Sequence, residues 1–566
     1  MTEDNTQDLA ESRTENFVCI AIFIFAVVIA AWLRFDQISL KPFHHDEGVN
    51  SYFLLNLAHS GSYKYDPTNY HGPTLYYFAL VALRIFGETD LALRLSPALF
   101  GLLTVAMVWL LRKHLGKIGT PVAAFCLALS PCLVYFSRDF IHEMSFGCFS
   151  LGVVAGAWRY AESKKFKWLA LSAISAGLLF ATKETAIVNT LVMIVAIVCA
   201  TFWDATRNLI RQRQFTPAAL VRNLRRDTAA VIPSLDHLLA AIIIFVFINV
   251  FFYSSLFTNT KGVRDAVESV VMWQRRSGSE HVKTFWYYAG ILVKLELPLL
   301  LGALLSGVIV IWRGTRFWLF TGAWTLGTAL AYSIIGYKTP WLMLSFVIPM
   351  ALVCGYAAEQ VYRLLPVLSL RLVWAAVVVI AIIACGRMAW KVNFEGYDDN
   401  GNKNGYFAGT IEKRLVQPYV NQPAETGGGL IARFIRGKGR NLLTPYLDGT
   451  YGYVYAQTDR GLMGLLDELK RETDKLPAKD QTAIYVAAPE YWPLPWYLRD
   501  YKAQFAGKWP VATGEPINIS EPIILANVNQ QSSLEGIQGW HPGSQAYAMR
   551  PGVDLMLFIR DENAQP

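Results

Sequence analysis

Charge is scarce in this chain. Only 17% of its 566 residues are Asp, Glu, Lys or Arg, against about 25% in ordinary globular domains, which excludes a chain made of soluble domains alone. Cysteine is also sparse: seven residues, at 19, 126, 132, 148, 199, 354 and 385, all in or beside apolar runs. With no CxxC pair and no His at zinc spacing, they read as lipid-buried or core thiols. No internal repeat or low-complexity tract is present, and no small-residue cleavage site follows the first apolar run, so that run reads as an uncleaved span. The net charge of +8 falls largely in short loops and reflects membrane orientation rather than nucleic acid.

What is abundant is apolar length. The chain is 54% hydrophobic and 13% aromatic, with a mean hydropathy of +0.31. Several runs approach the roughly 20 apolar residues that cross a bilayer core, beginning with "FVCIAIFIFAVVIAAWLRF" at 17–35. The Arg-rich segment 203–233 belongs in the cytoplasm, and counting outward from it gives about eleven spans. The N-terminus is then inside, and the run at 73–87 is an interfacial or re-entrant helix. This predicts a membrane module over 1–390 and an extracytoplasmic soluble α/β domain over 391–566. In the tail, "DRGLMGLLDELKRETDK" has helical spacing, while "TAIYVAA", "EPIILANV" and "VDLMLFIR" read as strands.

Four ionisable clusters share the expected outer face. "KPFHHDEGVN" (41–50) sets His44, His45, Asp46 and Glu47 side by side, suiting a carboxylate base at the interface or, more simply, a solvated helix start. "SRDFIHE" carries Arg138, Asp139, His142 and Glu143. "ATKETA" holds Lys183 and Glu184 between two apolar runs, where an unmatched charge at depth would cost about 2.5–3.5 kcal/mol. "GYKTP" brings Lys338, a point charge suited to phosphate or an interfacial anchor. In the tail, Tyr491, Trp492 and Trp496 interleave with prolines, as a sugar or lipid-head platform, a membrane-docking surface or a domain core would.

These elements resemble the GT-C superfamily of polytopic membrane glycosyltransferases, especially the protein O-mannosyltransferases and lipid A aminoarabinose transferases. They resemble still more an uncharacterised flippase-activity-associated, mannosyltransferase-like branch. The resemblance rests on "HHDE", on "YHGPTLYYFALVALRIFGETDLALRLSPALFGLLTV", on Arg138 five residues before Glu143, and on "YKTPWLMLSFVIPMAL". "EYWPLPWYLRDY" resembles the closer branch only. The likeness implies Asp46 as catalytic base with Glu47 beside it, Glu143 as the second acidic position, and Lys338 near the donor phosphate. Arg138 and Lys183 would help balance that charge, and His71 stands where relatives carry Lys. It implies inverting transfer of a sugar from a polyprenyl phosphate to a hydroxyl of a protein, lipid or glycan. A divalent metal at His44 or His45 would be compatible but not required. The alternative is a polyprenyl-linked sugar flippase or carrier-binding protein, whose expected deep charges and repeated halves are not visible in the sequence.

Overall fold

The computed structural model describes residues 3–69, 71–276, 283–395, 457–509, 519–533, 539–550 and 553–561. The chain forms two compact units. One holds the described residues of 1–36 and 60–393, the other those of 37–59, 394–423 and 454–566.

The first unit is helical, and its solvent is lipid. In Leu235–Tyr253 the apolar window that could span a bilayer is entirely unburied, with Leu235 71% and Ile243 67% exposed. A helix apolar on every side and uncovered would aggregate in water, whereas in a bilayer its internally bonded backbone is the stable form. The window in Pro340–Leu364 is instead fully buried and sits at the centre of this unit. It crosses Arg112–Leu129 at two facing glycines. A Cβ on Gly119 would lie 2.6 Å from the Gly355 carbonyl oxygen, and one on Gly355 would lie 2.5 Å from that of Gly119. Small residues at such a crossing let two backbones approach where lipid supplies no hydrophobic drive between helices. Glu359 secures the crossing by accepting the amides of Ile118 (2.8 Å) and Gly119 (3.0 Å).

All eleven expected spans fall on helices. Among the described residues, six helices are long and apolar enough to cross a membrane, or seven if the pair Tyr287–Leu295 and Leu297–Arg313, bent by 111°, is one span. The difference from eleven has three sources, the first being that the expected span on Phe166–Phe180 is a helix of only 15 residues. Asp90–Leu129 is one apolar stretch of 40 residues, about twice the length a crossing needs. Glu143–Ser163 and Arg316–Ile334 are long helices diluted by charged residues or by Trp, Thr and Gly. The run expected to be interfacial is the 13-residue helix Thr74–Phe86, about 20 Å long and too short to span.

The tail is an α/β domain, as its patterning indicated. Its strands are β1 (Ala483–Val486), β2 (Lys502–Phe505), β3 (Ile523–Asn527), β4 (Trp540–Pro542), β5 (Tyr547–Arg550) and β6 (Val553–Arg560). They form a mixed sheet ordered β2-β1-β3-β6-β4, with β5 also on β6. β1 runs parallel to β2 and β3, and β6 antiparallel to β3, β4 and β5. The helix Gly461–Thr473 lays Leu462, Leu465 and Leu469 on a core with Ile484, Val486, Leu525 and Leu557. The helix and β1, β3 and β6 match the expected segments. β2, β4 and β5 went unrecognised because three or four residues are too few to establish a period. The Gly- and Asn-rich start of the tail falls almost wholly outside the described residues.

Two polar turns of the helical unit are knit together at Gly72. Its amide donates to the Thr182 carbonyl (2.9 Å), its carbonyl faces His142 Nε2 (3.1 Å), and the Thr74 and Thr182 hydroxyls meet at 2.7 Å. A Cβ on Gly72 would sit 2.1 Å from the Ala181 carbonyl oxygen, a backbone clash no rotamer can relieve. Gly72→Ala is therefore expected to destabilise the helical unit by about 3 kcal/mol, read as a loss of monodisperse folded protein on heating in detergent.

Candidate functional site

The acidic loop belongs to the second unit and opens the helix His45–Ser60. Its two carboxylates differ in environment. Glu47 is buried and its Oε2 accepts the His44 amide at 2.9 Å, the reach-back bond by which a third-position Glu secures a helix start. Asp46 is partly buried. Its amide donates to His44 Nδ1 (3.1 Å), and among the described residues its carboxylate has no hydrogen-bond or ion-pair partner. Expected alike as catalytic, they divide into a structural cap and an uncommitted carboxylate.

The tail domain grips this loop. Tyr497 Oη accepts the Phe43 amide (2.8 Å), Thr458 Oγ1 donates to the Phe43 carbonyl (2.5 Å), and Gln457 Nε2 donates to the Pro42 carbonyl (3.0 Å). The Phe43 ring stacks on Trp496 at 5.1 Å, and the Arg499 guanidinium lies over the Trp496 ring at 4.2 Å. Trp496 is 1% exposed. Such burial fits the domain-core reading of this residue rather than an exposed platform. Tyr491 packs against Phe505 and the sheet core. Trp492 is partly buried and meets Tyr52, which is 50% exposed, edge to face at 6.2 Å. The aromatic surface near the acidic loop is thus Trp492 with Tyr52, a residue the sequence did not single out.

In the helical unit, Glu143, Lys183, Glu184 and His71 come together. Lys183 makes a buried ion pair with Glu143, and Glu184 meets His71 Nδ1 at 3.0 Å. Burial alone would lower the Lys183 ammonium, but the Glu143 and Glu184 carboxylates outweigh it and hold the group above its usual range. His142 is pushed well below the ordinary imidazole range by burial, reinforced by His71 and Lys183. Lys183 and His71 are spent on carboxylates rather than presented to a phosphate. A small cavity of about 10 Å³ beside them, lined by His71, Lys183, Glu184, Thr185, Tyr332 and Tyr337, has room for about one water.

Arg138 likewise serves the scaffold. Its guanidinium donates to the carbonyls of Leu33 (2.9 Å) and Asp36 (2.6 Å), where a helix end needs a cation. Lys338 differs from both. Its buried ammonium donates to the carbonyls of Lys283 and Ile335 and has no carboxylate partner among the described residues. Burial lowers it to about 8. Two carbonyls leave its charge uncancelled, as an anion site requires.

The histidines do not assemble a metal site. His44 Nδ1 takes the Asp46 amide and His45 Nδ1 takes a guanidinium N–H of Arg550 at 3.2 Å. Among the described residues no three His, Cys, Asp or Glu are grouped to hold a metal ion. Burial, with His44 and Arg550 adding to it against Asp46 and Glu490, pulls His45 from 6.5 down to about 4. As pH falls between those values the unfolded chain takes up the proton and the folded one does not. Stability is full above about 6.5 and lost progressively toward 4. Thermal unfolding at pH 7.5 and pH 5 is expected to show this loss for the tail unit, and His45→Gln to reduce it.

Comparison with known proteins fits this architecture. Residues 70–224 match the family described as dolichyl-phosphate-mannose-protein mannosyltransferase. No curated protein sequence matches the chain significantly. Among solved structures, ArnT from Cupriavidus metallidurans bound to undecaprenyl phosphate is similar over 97% of this chain and 99% of that one, at 15% identity and a TM-score of 0.60. The apo state of ArnT gives 0.59 over the same shares at the same identity. The archaeal oligosaccharyltransferase AglB from Archaeoglobus fulgidus, in complex with an inhibitory peptide and a dolichol-phosphate, is 13% identical with a TM-score of 0.50, over 91% of this chain and 70% of that chain. This integral membrane protein shares its fold with ArnT and AglB, and its segment 70–224 matches the family described as dolichyl-phosphate-mannose-protein mannosyltransferase.

Proposed function

We propose that the protein transfers a sugar from a polyprenyl-phosphate donor to an acceptor hydroxyl on the outer face of the membrane, with inversion. Asp46 carries this reading: of Asp46, Glu47, Glu143 and Glu184, only its carboxylate lacks a partner among the described residues. An uncommitted carboxylate can accept a proton without first breaking an ion pair. Support for the donor class comes from the fold shared with ArnT, which was crystallised with undecaprenyl phosphate, and from the match over 70–224.

In the proposed step Asp46 takes the acceptor's hydroxyl proton and the freed oxygen forms a bond to C1 of the sugar. The bond from C1 to the phosphate oxygen breaks, and its electron pair leaves with the polyprenyl phosphate. The phosphate's growing charge calls for a cation, the role proposed for Lys338 of the helical unit, and beside the acidic loop Trp492 with Tyr52 offers the acceptor or sugar an aromatic face. The step as written calls on no metal, and the Nδ1 atoms of His44 and His45 already accept hydrogen bonds.

The test follows loss of label from a radiolabelled polyprenyl-phosphate hexose with the full-length protein in detergent. Asp46→Asn should lower turnover by about 10²–10⁴-fold while leaving lipid binding and melting unchanged; undiminished turnover would move the base elsewhere. Binding without turnover by the native protein, across protein, lipid and glycan acceptors, would favour the flippase or carrier-binding alternative.

Lys338 gives a second prediction. Because its ammonium titrates near 8, affinity for polyprenyl phosphate should weaken as pH rises through that value. Lys338→Arg should bind without this dependence, and Lys338→Ala should bind about tenfold or more weakly, as expected for loss of one charge-assisted hydrogen bond. Titrations of lipid binding between pH 6.5 and 9.5 check all three.

A further inference from the structure

We propose that Arg550 is a positioning residue for Asp46, through which the tail domain sets the geometry of the acidic loop. This rests on the reading of Asp46 as the base.

Arg550 ends β5, where the pairing with β6 shifts register between Ala548 and Arg550. Such irregularities re-aim a side chain. Its guanidinium makes three bonds within this unit: Nη1 to His45 Nδ1 (3.2 Å) and to the Trp492 carbonyl (3.2 Å), and Nη2 to Glu490 Oε2 (2.9 Å). Glu490 and the Trp492 carbonyl hold the fork in place, and the other Nη1 hydrogen is donated to the first residue of the Asp46 helix. Phe43 is fastened two residues earlier by Tyr497, Thr458 and the Trp496 ring. Gly48 completes the seat: a Cβ there would fall 2.7 Å from Pro493 Cα. The helix start is therefore held on both sides of His44, and Asp46 takes its direction from those attachments rather than from bonds of its own.

The contact also fixes charge. A guanidinium N–H on Nδ1 occupies that lone pair, so the proton of neutral His45 resides on Nε2. The groups facing His45 are His44, Asp46, Arg550 and Glu490. A protonated His45 beside Asp46 would pair with it and take the base out of use. Arg550 opposes that protonation by its own charge and by its hydrogen bond.

The experiment uses full-length protein in detergent and two readouts, backbone amide exchange by mass spectrometry and steady-state kinetics. In Arg550→Met, amides 44–47 should exchange about tenfold faster or more, the scale of one lost hydrogen bond from a charged donor, while Gly461–Thr473 keeps its protection. In the same variant kcat should fall about tenfold or more with KM for the lipid donor within about twofold, the pattern of a displaced group needed in the transition state. Arg550→Lys, which can still donate to Nδ1, should recover part of both. Glu490→Gln leaves Arg550 in place but loosens its fork, so it should give the same changes more weakly; it also serves as the working variant if Arg550→Met does not fold. Unchanged loop exchange would overturn the inference, as would equal loss of protection across the whole tail unit. Turnover that survives Asp46→Asn would instead sink the reading of Asp46 as the base, while the exchange result would still report whether Arg550 holds the loop.

Discussion

A charge taken out of water and left alone inside a protein costs several kcal/mol or more, and the helical unit is arranged around that constraint. Lys183 and Glu184 occupy a five-residue linker between two apolar helices, and their main partners come from elsewhere in the chain. Glu143 matches the ammonium from the start of another helix, His71 meets the second carboxylate from a loop, and the Gly72 and Thr182 backbones close against each other so that both contacts can form. Removing one member would leave the other buried and uncompensated, at about 3–5 kcal/mol. Two polar turns, 110 residues apart in sequence, are thereby locked, and the helices they join inherit that register.

The same constraint sorts the cations. Arg138 is committed to the carbonyl end of a helix and Lys183 to a carboxylate, so both serve the scaffold. Lys338 rests on carbonyl dipoles alone and its ammonium is lowered accordingly. An arriving anion would repair that desolvation. A similar asymmetry separates Glu47, absorbed into its helix start, from Asp46, which sits one residue away and whose carboxylate has no hydrogen-bond or ion-pair partner among the described residues.

How much of this the sequence disclosed depended on the range of the interaction. Helices, apolar lengths and the longer tail strands are written in local periodicity, and each expected run fell on a regular element. That 17–35 crosses and 73–87 is too short follows from counting residues. The acidic loop was also legible, because four ionisable residues in a row are a local signal. Partners were not. Which of Asp46 and Glu47 is free depends on a hydrogen bond whose geometry only the folded helix start reveals. That Arg138 caps a helix 100 residues away, or that Trp496 is core rather than platform, depends on tertiary contacts that leave no trace in spacing. Arg550 gave no signal at all, being 505 residues from the histidine it touches.

That separation has a consequence in the life of the molecule. Phe43 leaves the ribosome early, whereas Tyr497, which accepts its amide, is 454 residues further on. At about 5–20 residues per second, roughly 25–90 seconds pass between the two. Through that interval the first helix and the acidic loop are already made, but the loop lacks every contact with the tail that fastens it. A nascent or truncated chain would thus sit in the bilayer with its acidic residues unassembled, and the loop takes form only once the last strands have been synthesised.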